Sequence, residues 1–185
     1  MLTYWIIGAV VAIILIWLAA AYNGLVRMRS RAQEAWSDID VQLKRRYDLI
    51  PNLVEAVKGY MKFEKETLEA VISARSKAMA TPPGAEKFAA EGALSGVLGK
   101  LMAVAENYPD LKSNEQVKTL MEELRTTENQ LAFARQYYND SVMTLNTKVG
   151  QFPSNMIAGM FSFKPKTYFQ IEEAARTTPK VDINI

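Results

Sequence analysis

Two residue types with many catalytic uses are missing from this sequence. None of its 185 residues is histidine or cysteine. Without histidine the chain has no Ser-His-Asp triad, no imidazole general base and no histidine zinc site. Without cysteine it has no thiol nucleophile, no disulfide and no thiolate metal site. The phosphate-binding motifs GxxxxGK[ST] and GxGxxG are also missing. We therefore predict a protein that is not an enzyme and uses no cofactor or metal.

The charge balance is equally informative. The net charge is only +2, from 22 basic and 20 acidic residues. A nucleic-acid-binding surface needs a clear excess of basic side chains, so we expect no nucleic-acid partner. Hydrophobic residues make up 49% of the chain, which is enough for one folded domain with a sizeable core.

The N-terminus has the pattern of a membrane span. Residues 1–26 contain no charged side chain. The apolar run 2–21 matches the ~20 residues that a helix needs to cross a bilayer. Aromatic residues, which favour membrane interfaces, stand near both ends of the run: Tyr4, Trp5, Trp17 and Tyr22. We assign residues 1–22 to a transmembrane anchor whose partner is membrane lipid.

Basic residues on one side of the span predict its orientation. Arg27, Arg29 and Arg31 follow the span, and no basic side chain precedes it. The positive-inside rule then places the N-terminus outside and the body in the cytoplasm. The same arginines are the candidate lipid contacts next to the membrane. A cleaved signal peptide with a small-x-small site at Ala19 and Ala21 is the competing interpretation. The alternative location of the body is the periplasmic side.

Beyond the anchor, the apolar spacing is helical almost throughout. We predict a long helix over about 23–79, and we expect Pro51 to kink it rather than end it. Stop signals at 81–84 and 107–110 bound a helix of about 85–107. A further helix covers about 114–150. The fold class is therefore all-α, with one transmembrane helix followed by a long-helix domain resembling a four-helix bundle over 23–171.

The helix over 114–150 has clear local signals. Ser113 with Gln116 fits a capping box, or Asn114 caps the helix directly. A heptad-like apolar stripe follows, interrupted by the polar residues Thr127 and Ser141. Its members are Val117, Leu120, Leu124, Leu131, Ala134, Tyr138 and Leu145. We interpret the stripe as a core face.

The C-terminal region differs from the rest. Residues 152–171 combine five aromatic residues and two methionines with two prolines and a glycine. This composition fits a short helix and loop packed over one end of the bundle. It also fits an exposed surface for a partner or a membrane. Residues 172–185 are predicted to be a peripheral tail.

One polar cluster interrupts the first long helix. Lys44, Arg45, Arg46 and Asp48 are the candidate interface with another copy of the chain or with a partner. Lys44 and Asp48 are four residues apart and can pair along the helix. A solvated surface with ion pairs of a few tenths of a kcal/mol each is the simpler interpretation. A salt-bridge network to another helix or another subunit is the alternative.

Several segments of the sequence resemble the LemA family of bacterial membrane-anchored helical proteins. They are AWS at 35–37, IDVQLKRRYDLIPNLV at 39–54 and AENYPDL at 105–111, in the family's order. The resemblance extends from about residue 22 to 171. It implies a single anchor in the bacterial cell (inner) membrane and an all-helical body, and it implies no reaction.

The resemblance also suggests partners. Members of the family are found beside membrane proteases of the HtpX type, and one relative takes part in forming magnetosome membranes. Together with the missing catalytic residues, this favours a non-enzymatic scaffold that homo-oligomerises, in membrane shaping or envelope homeostasis. The alternative function is an adaptor or partner of a membrane protease or another envelope protein.

Overall fold

The computed structural model describes residues 1–61 and 64–169, apart from the Lys112 side chain. In this part of the chain six helices follow one another. They are α1 (Leu2–Lys58), α2 (Lys65–Ala80), α3 (Ala85–Ala105), α4 (Pro109–Ser113), α5 (Glu115–Gly150) and α6 (Ser154–Met160). The same residues contain no β-strand. The predicted all-α fold class is confirmed.

The first part of α1 is a candidate membrane span. Its most apolar stretch has no buried residue, which suits a helix surrounded by lipid. By length and composition α3 is also long enough to cross a membrane. However, α3 carries Lys87 and Glu91, and its leucines Leu94 and Leu98 are buried among other helices. These features are typical of an internal helix.

The helix predicted over 23–79 is divided in the structure. α1 continues through Pro51 and ends at Lys58, and α2 begins at Lys65. The prediction of one helix was therefore wrong, because the interruption follows Lys58. After that residue the amides of Tyr60 and Met61 both bond to the carbonyl of Val57. The helices observed at Ala85–Ala105 and Glu115–Gly150 lie close to the predicted bounds.

Contacts divide the chain into two compact units. Unit 1 contains Met1–Ile39 and Ala134–Tyr168. Unit 2 contains Asp40–Phe133 and, of the later residues described, Phe169. The long helices α1 and α5 each contribute one part to each unit. The predicted domain boundaries at 22 and 171 stay predictions, and residues 172–185 lie outside the described part of the chain.

Each unit has its own core. In unit 1, Leu25 packs against Ile157, Ala158 and Phe163, and the rings of Trp36 and Tyr138 meet with centroids 5.6 Å apart. In unit 2, all five helical segments contribute apolar residues to one cluster. Its largest fully buried members are Ile50, Leu53, Met61, Leu94, Leu98, Leu101, Leu111 and Leu124.

The start of α5 shows which of two predicted caps is used. The Asn114 side-chain oxygen accepts hydrogen bonds from the amides of Gln116 (3.0 Å) and Val117 (3.2 Å). The Ser113 hydroxyl instead donates to the carbonyl of Asp110. Asn114 therefore satisfies two amides that have no partner within the helix.

The polar residue Thr127, which interrupts the predicted stripe, is buried. Its hydroxyl donates to the carbonyl of Glu123 at 2.8 Å, so it is satisfied within its own helix. Most of the larger residues of the stripe are also buried, including Val117, Leu124, Leu131, Tyr138 and Leu145.

Candidate functional site

The centre of unit 2 contains a buried ion network built around Arg46. This side chain is 0% exposed. Its guanidinium donates to the Ser95 hydroxyl and to a Glu128 carboxylate oxygen, both at 2.8 Å, and also to the carboxylate of Glu91. The network thereby joins α1, α3 and α5. Arg46 was named as a candidate interface residue, and its pairing inside the chain contradicts that role. It confirms, for Arg46, the alternative of a salt-bridge network to another helix.

The sequence contains a signal for this burial. Arg46 lies three residues after Leu43 and four before Ile50, and both leucine and isoleucine are buried in the core. These spacings place Arg46 on the apolar face of α1. Its neighbours Lys44, Arg45 and Asp48 point elsewhere and are exposed.

A second cation completes the network. Lys87 makes an ion pair with Glu91 at 3.1 Å. It also donates to the Tyr47 hydroxyl at 2.9 Å and to the Ala78 carbonyl at 2.6 Å. The Tyr47 hydroxyl in turn donates to Glu91. The two cations thus balance the carboxylates of Glu91 and Glu128, which is the condition for keeping such charges buried.

The phenol of Tyr47 stays neutral in this setting. Burial raises its pKa, and the hydrogen bond to Glu91 and the negative charge of Glu91 raise it further, against the opposing effect of Arg46. A neutral phenol keeps the proton that it donates to Glu91. Tyr47 is therefore a fixed donor rather than a base.

The backbone of Tyr47 explains how α1 tolerates a proline. Proline has no amide hydrogen, so Pro51 cannot donate to the carbonyl four residues earlier, which is that of Tyr47. The Arg75 Nε of α2 donates to this carbonyl instead, at 2.8 Å. A side chain from the next helix thus satisfies the acceptor that Pro51 leaves free.

This network has the chemistry of a structural element. Arg46 and Lys87 are each held by several acceptors from other helices. Among the described residues there is no group of three or more acidic side chains arranged to hold a metal ion. A buried, balanced network of this kind favours one arrangement of helices over others.

The rest of the predicted cluster lines a shallow groove on unit 2. Lys44, Arg45 and Asp48 of α1 face it together with Val41, and Glu123 of α5 closes one side. The groove has a volume of about 400 Å³. It presents two cations, two carboxylates and an apolar side chain that is 62% exposed.

The three arginines that follow the span are all exposed. The Arg29 guanidinium lies over the Phe163 ring, 5.0 Å from its centroid. Burial lowers the pKa of Lys166, and the positive charge of Arg29 lowers it further. Arg27 and Arg31 are exposed, as a lipid-contacting role requires. That role stays a prediction.

A cleft of about 470 Å³ lies at the end of α3 in unit 2. Its apolar lining includes Met102, Leu111 and Met121, and its polar lining includes Lys118 and Arg125. Nothing in the sequence singled out this cleft, because its lining comes from three helices that are separated along the chain.

Comparison with known proteins places the chain in a family. The model of the LemA family matches residues 35–183. Magnetosome protein MamQ of Magnetospirillum gryphiswaldense is 30% identical, over 88% of this chain and 69% of the relative. Protein LemA of Metamycoplasma hominis is 28% identical, over 83% of this chain and 71% of the relative. These names and the N-terminal apolar helix indicate a membrane-associated helical protein. The chain belongs to the LemA family.

Proposed function

We propose that this protein is a non-enzymatic, membrane-anchored scaffold that associates with copies of itself. The observation that carries the proposal is the exposed groove of unit 2. It contains charges of both signs, Lys44 and Arg45 against Asp48 and Glu123, beside the exposed Val41. A two-fold contact brings the same patch of both copies together, so the patch must complement itself. A mixed-charge groove with an apolar side chain meets this condition.

The anchor supports the proposal by confining the copies to one membrane. Copies held in the same plane meet at a raised effective concentration, so a weak groove contact is sufficient. The buried Arg46 network supports it in another way. By fixing α1 against α3 and α5, it holds the α1 and α5 side chains of the groove in one arrangement.

A membrane-shaping role follows from such an assembly. Many anchors held at fixed spacing impose their arrangement on the bilayer between them. Several relatives are named magnetosome proteins, and this name supports a role at a membrane. We further propose that the body lies on the cytoplasmic side of a bacterial inner membrane, because Arg27, Arg29 and Arg31 follow the span.

A mixing experiment with opposite charge reversals tests the groove. One full-length chain carries Lys44→Glu with Arg45→Glu, and a second, differently tagged chain carries Asp48→Lys with Glu123→Lys. Each variant alone is expected to lose co-capture of its own differently tagged copy in mild detergent, because like charges then face each other. A mixture of the two variants should restore co-capture.

All four substituted residues of this experiment lie at the surface groove, so folding is expected to be retained. Far-ultraviolet circular dichroism checks this. If each variant alone associates as the wild type does, the groove is not the contact between copies.

A second candidate function is an adaptor for an envelope protein, such as a membrane protease. The observation that favours it is the cleft at the end of α3. Methionines line it, and flexible thioether side chains adapt to different apolar partners. Substituting Met121 by glutamate should abolish capture of the partner while leaving self-association intact; unchanged capture would exclude the cleft as the contact.

A further inference from the structure

The short helix α6 packs against the membrane end of the anchor. Within unit 1, Ile157, Ala158 and Phe163 form an apolar cluster with Leu25, and Leu18 and Ala21 pack against the cluster. The Tyr22 ring lies 4.7 Å from the Phe161 ring and 5.9 Å from the Phe163 ring, measured between centroids. The part of α1 that leaves the membrane is thus covered by α6 and the residues after it.

The length of the uncharged run places this contact at the bilayer surface. The uncharged helical residues 2–26 extend about 37 Å at ~1.5 Å per residue. The hydrocarbon layer is only about 30 Å thick, and headgroups bring the total to about 40–45 Å. The last uncharged residues before Arg27 therefore lie among headgroups. The α6 cluster packs against Leu25 and also against Leu18 and Ala21, which lie up to about 12 Å deeper along α1 than Val26. It therefore lies at the boundary between headgroups and acyl chains.

The outer side of α6 is apolar and open. Met156 and Met160 are four residues apart on α6 and are 65% and 74% exposed. Phe152, which lies just before the helix, is 74% exposed. The neighbouring Phe161 is 52% exposed. Residues 149–163 contain no charged side chain, and Lys148 and Lys164 stand on either side of them.

We propose that α6 and the residues that flank it form a second membrane contact. In this contact Met156 and Met160 of α6, with the flanking Phe152 and Phe161, insert into the boundary between headgroups and acyl chains. The occupant is a phospholipid surface. An apolar stripe with flanking lysines is the pattern of helices that lie in the membrane interface. Lys148, Lys164 and Arg27 are placed to meet anionic headgroups. The inference rests on the anchor and does not require self-association.

The contact fixes the anchor relative to the rest of unit 1. A single span can rotate and tilt freely, whereas an interfacial helix packed against its end restricts both motions. The body of unit 1 would then keep a defined orientation to the bilayer surface.

Site-directed fluorescence tests the contact on the full-length protein. The chain has no cysteine, so a single Met156→Cys substitution gives one labelling site. The protein, labelled with a nitrobenzoxadiazole dye, is placed in nanodiscs of phosphatidylcholine and phosphatidylglycerol. Nitroxide-bearing lipid quenches dyes in the bilayer, and dithionite reduces dyes that face water.

Tyr137→Cys provides the matched control. Tyr137 is also an exposed residue of unit 1, but it precedes Val149, which packs against the Leu25 cluster, by about 18 Å of helix. We expect the dye at position 156 to be quenched by the lipid nitroxide and reduced several-fold more slowly by dithionite than the dye at 137.

Two results would overturn the inference. Equal dithionite rates at 156 and 137 would show that α6 faces water. Protection of position 156 from both reagents would show that protein, such as a second copy, covers the stripe. Repeating the measurement with one chain per nanodisc separates this inference from self-association, because the lipid contact should persist there.

Discussion

Replacing Arg46 by methionine should destabilise unit 2 much more than any surface substitution does. The change removes three side-chain hydrogen bonds and one of the two buried cations. Breaking a buried ion pair by deleting one partner costs about 3–5 kcal/mol, because the other charge stays buried. Two features reduce the cost here. Glu91 keeps its contacts with Lys87 and Tyr47, and the Glu128 side chain is 24% exposed and can be hydrated. We therefore expect a loss of about 3 kcal/mol, the lower end of that range.

A double-mutant cycle separates the network from general packing. Glu91→Gln removes the negative charge but keeps an acceptor for Tyr47 and Lys87. In that background Arg46→Met should cost only about 1 kcal/mol, so the coupling energy is about 2 kcal/mol. Arg45→Met is the matched control, since Arg45 is exposed, and its effect should stay within about 0.5 kcal/mol.

Hydrogen exchange of the α3 amides, measured by mass spectrometry on the full-length protein in mild detergent, provides the free energy of opening. A cost of less than about 1 kcal/mol for Arg46→Met would show that the network does not stabilise unit 2. Costs at Arg46 and Glu91 that add within about 0.5 kcal/mol would show that the two residues are not coupled.

Three further predictions concern local features, each measured by unfolding in urea. Arg75→Met should cost about 1–3 kcal/mol because it leaves the Tyr47 carbonyl without a donor. In a Pro51→Ala background, where the helical amide is restored, most of that cost should disappear. An equal cost of Arg75→Met with Pro51 and with Ala at position 51 would contradict this role of Arg75. Asn114→Ala should cost about 1 kcal/mol through loss of the α5 cap, and Asn114→Gly only a few tenths; an equal loss for both would count against capping. The raised pKa of Tyr47 means that the folded state keeps a proton that the unfolded state releases above about pH 10. The stabilisation from the protonated Tyr47 phenol is complete below that pH and falls as the pH rises. A Tyr47→Phe variant should therefore lose less stability at high pH than the wild type. Identical stability-versus-pH profiles for the two proteins would exclude this role of Tyr47.

Features that depend on nearby residues could be predicted from the sequence. The all-α class follows from apolar spacing, and the boundary between α3 and α5 follows from Pro109. The break between α2 and α3 also follows from local residues, Pro82 and Gly84. Gly84 adopts φ +150°, a value that favours glycine. The two capping alternatives were correctly confined to adjacent residues, and the structure selects Asn114.

Features that depend on distant residues could not be predicted. Arg46 is 45 residues from Glu91 and 82 from Glu128, so its partners appear only once the helices pack. The helix continues through Pro51, as predicted, and Arg75 from another helix satisfies the carbonyl that Pro51 leaves free. The end of α1 at Lys58 was missed.

The region after α5 was predicted either to pack over one end of the bundle or to form an exposed surface. In the structure one side of the short helix α6 packs, and the opposite side is exposed. Ile157 and Ala158 pack, whereas Met156 and Met160 are exposed. Periodicity over so few residues could not separate the two sides, because the position of the anchor helix decides which side is covered.

The most direct test of the proposed scaffold is the mass of the full-length wild-type protein in mild detergent, measured by native mass spectrometry over a range of concentrations. We expect a discrete assembly of several chains that dissociates when Lys44 and Arg45 are both changed to glutamate. A single chain at every concentration would contradict self-association, and the protein would then be better described as an adaptor.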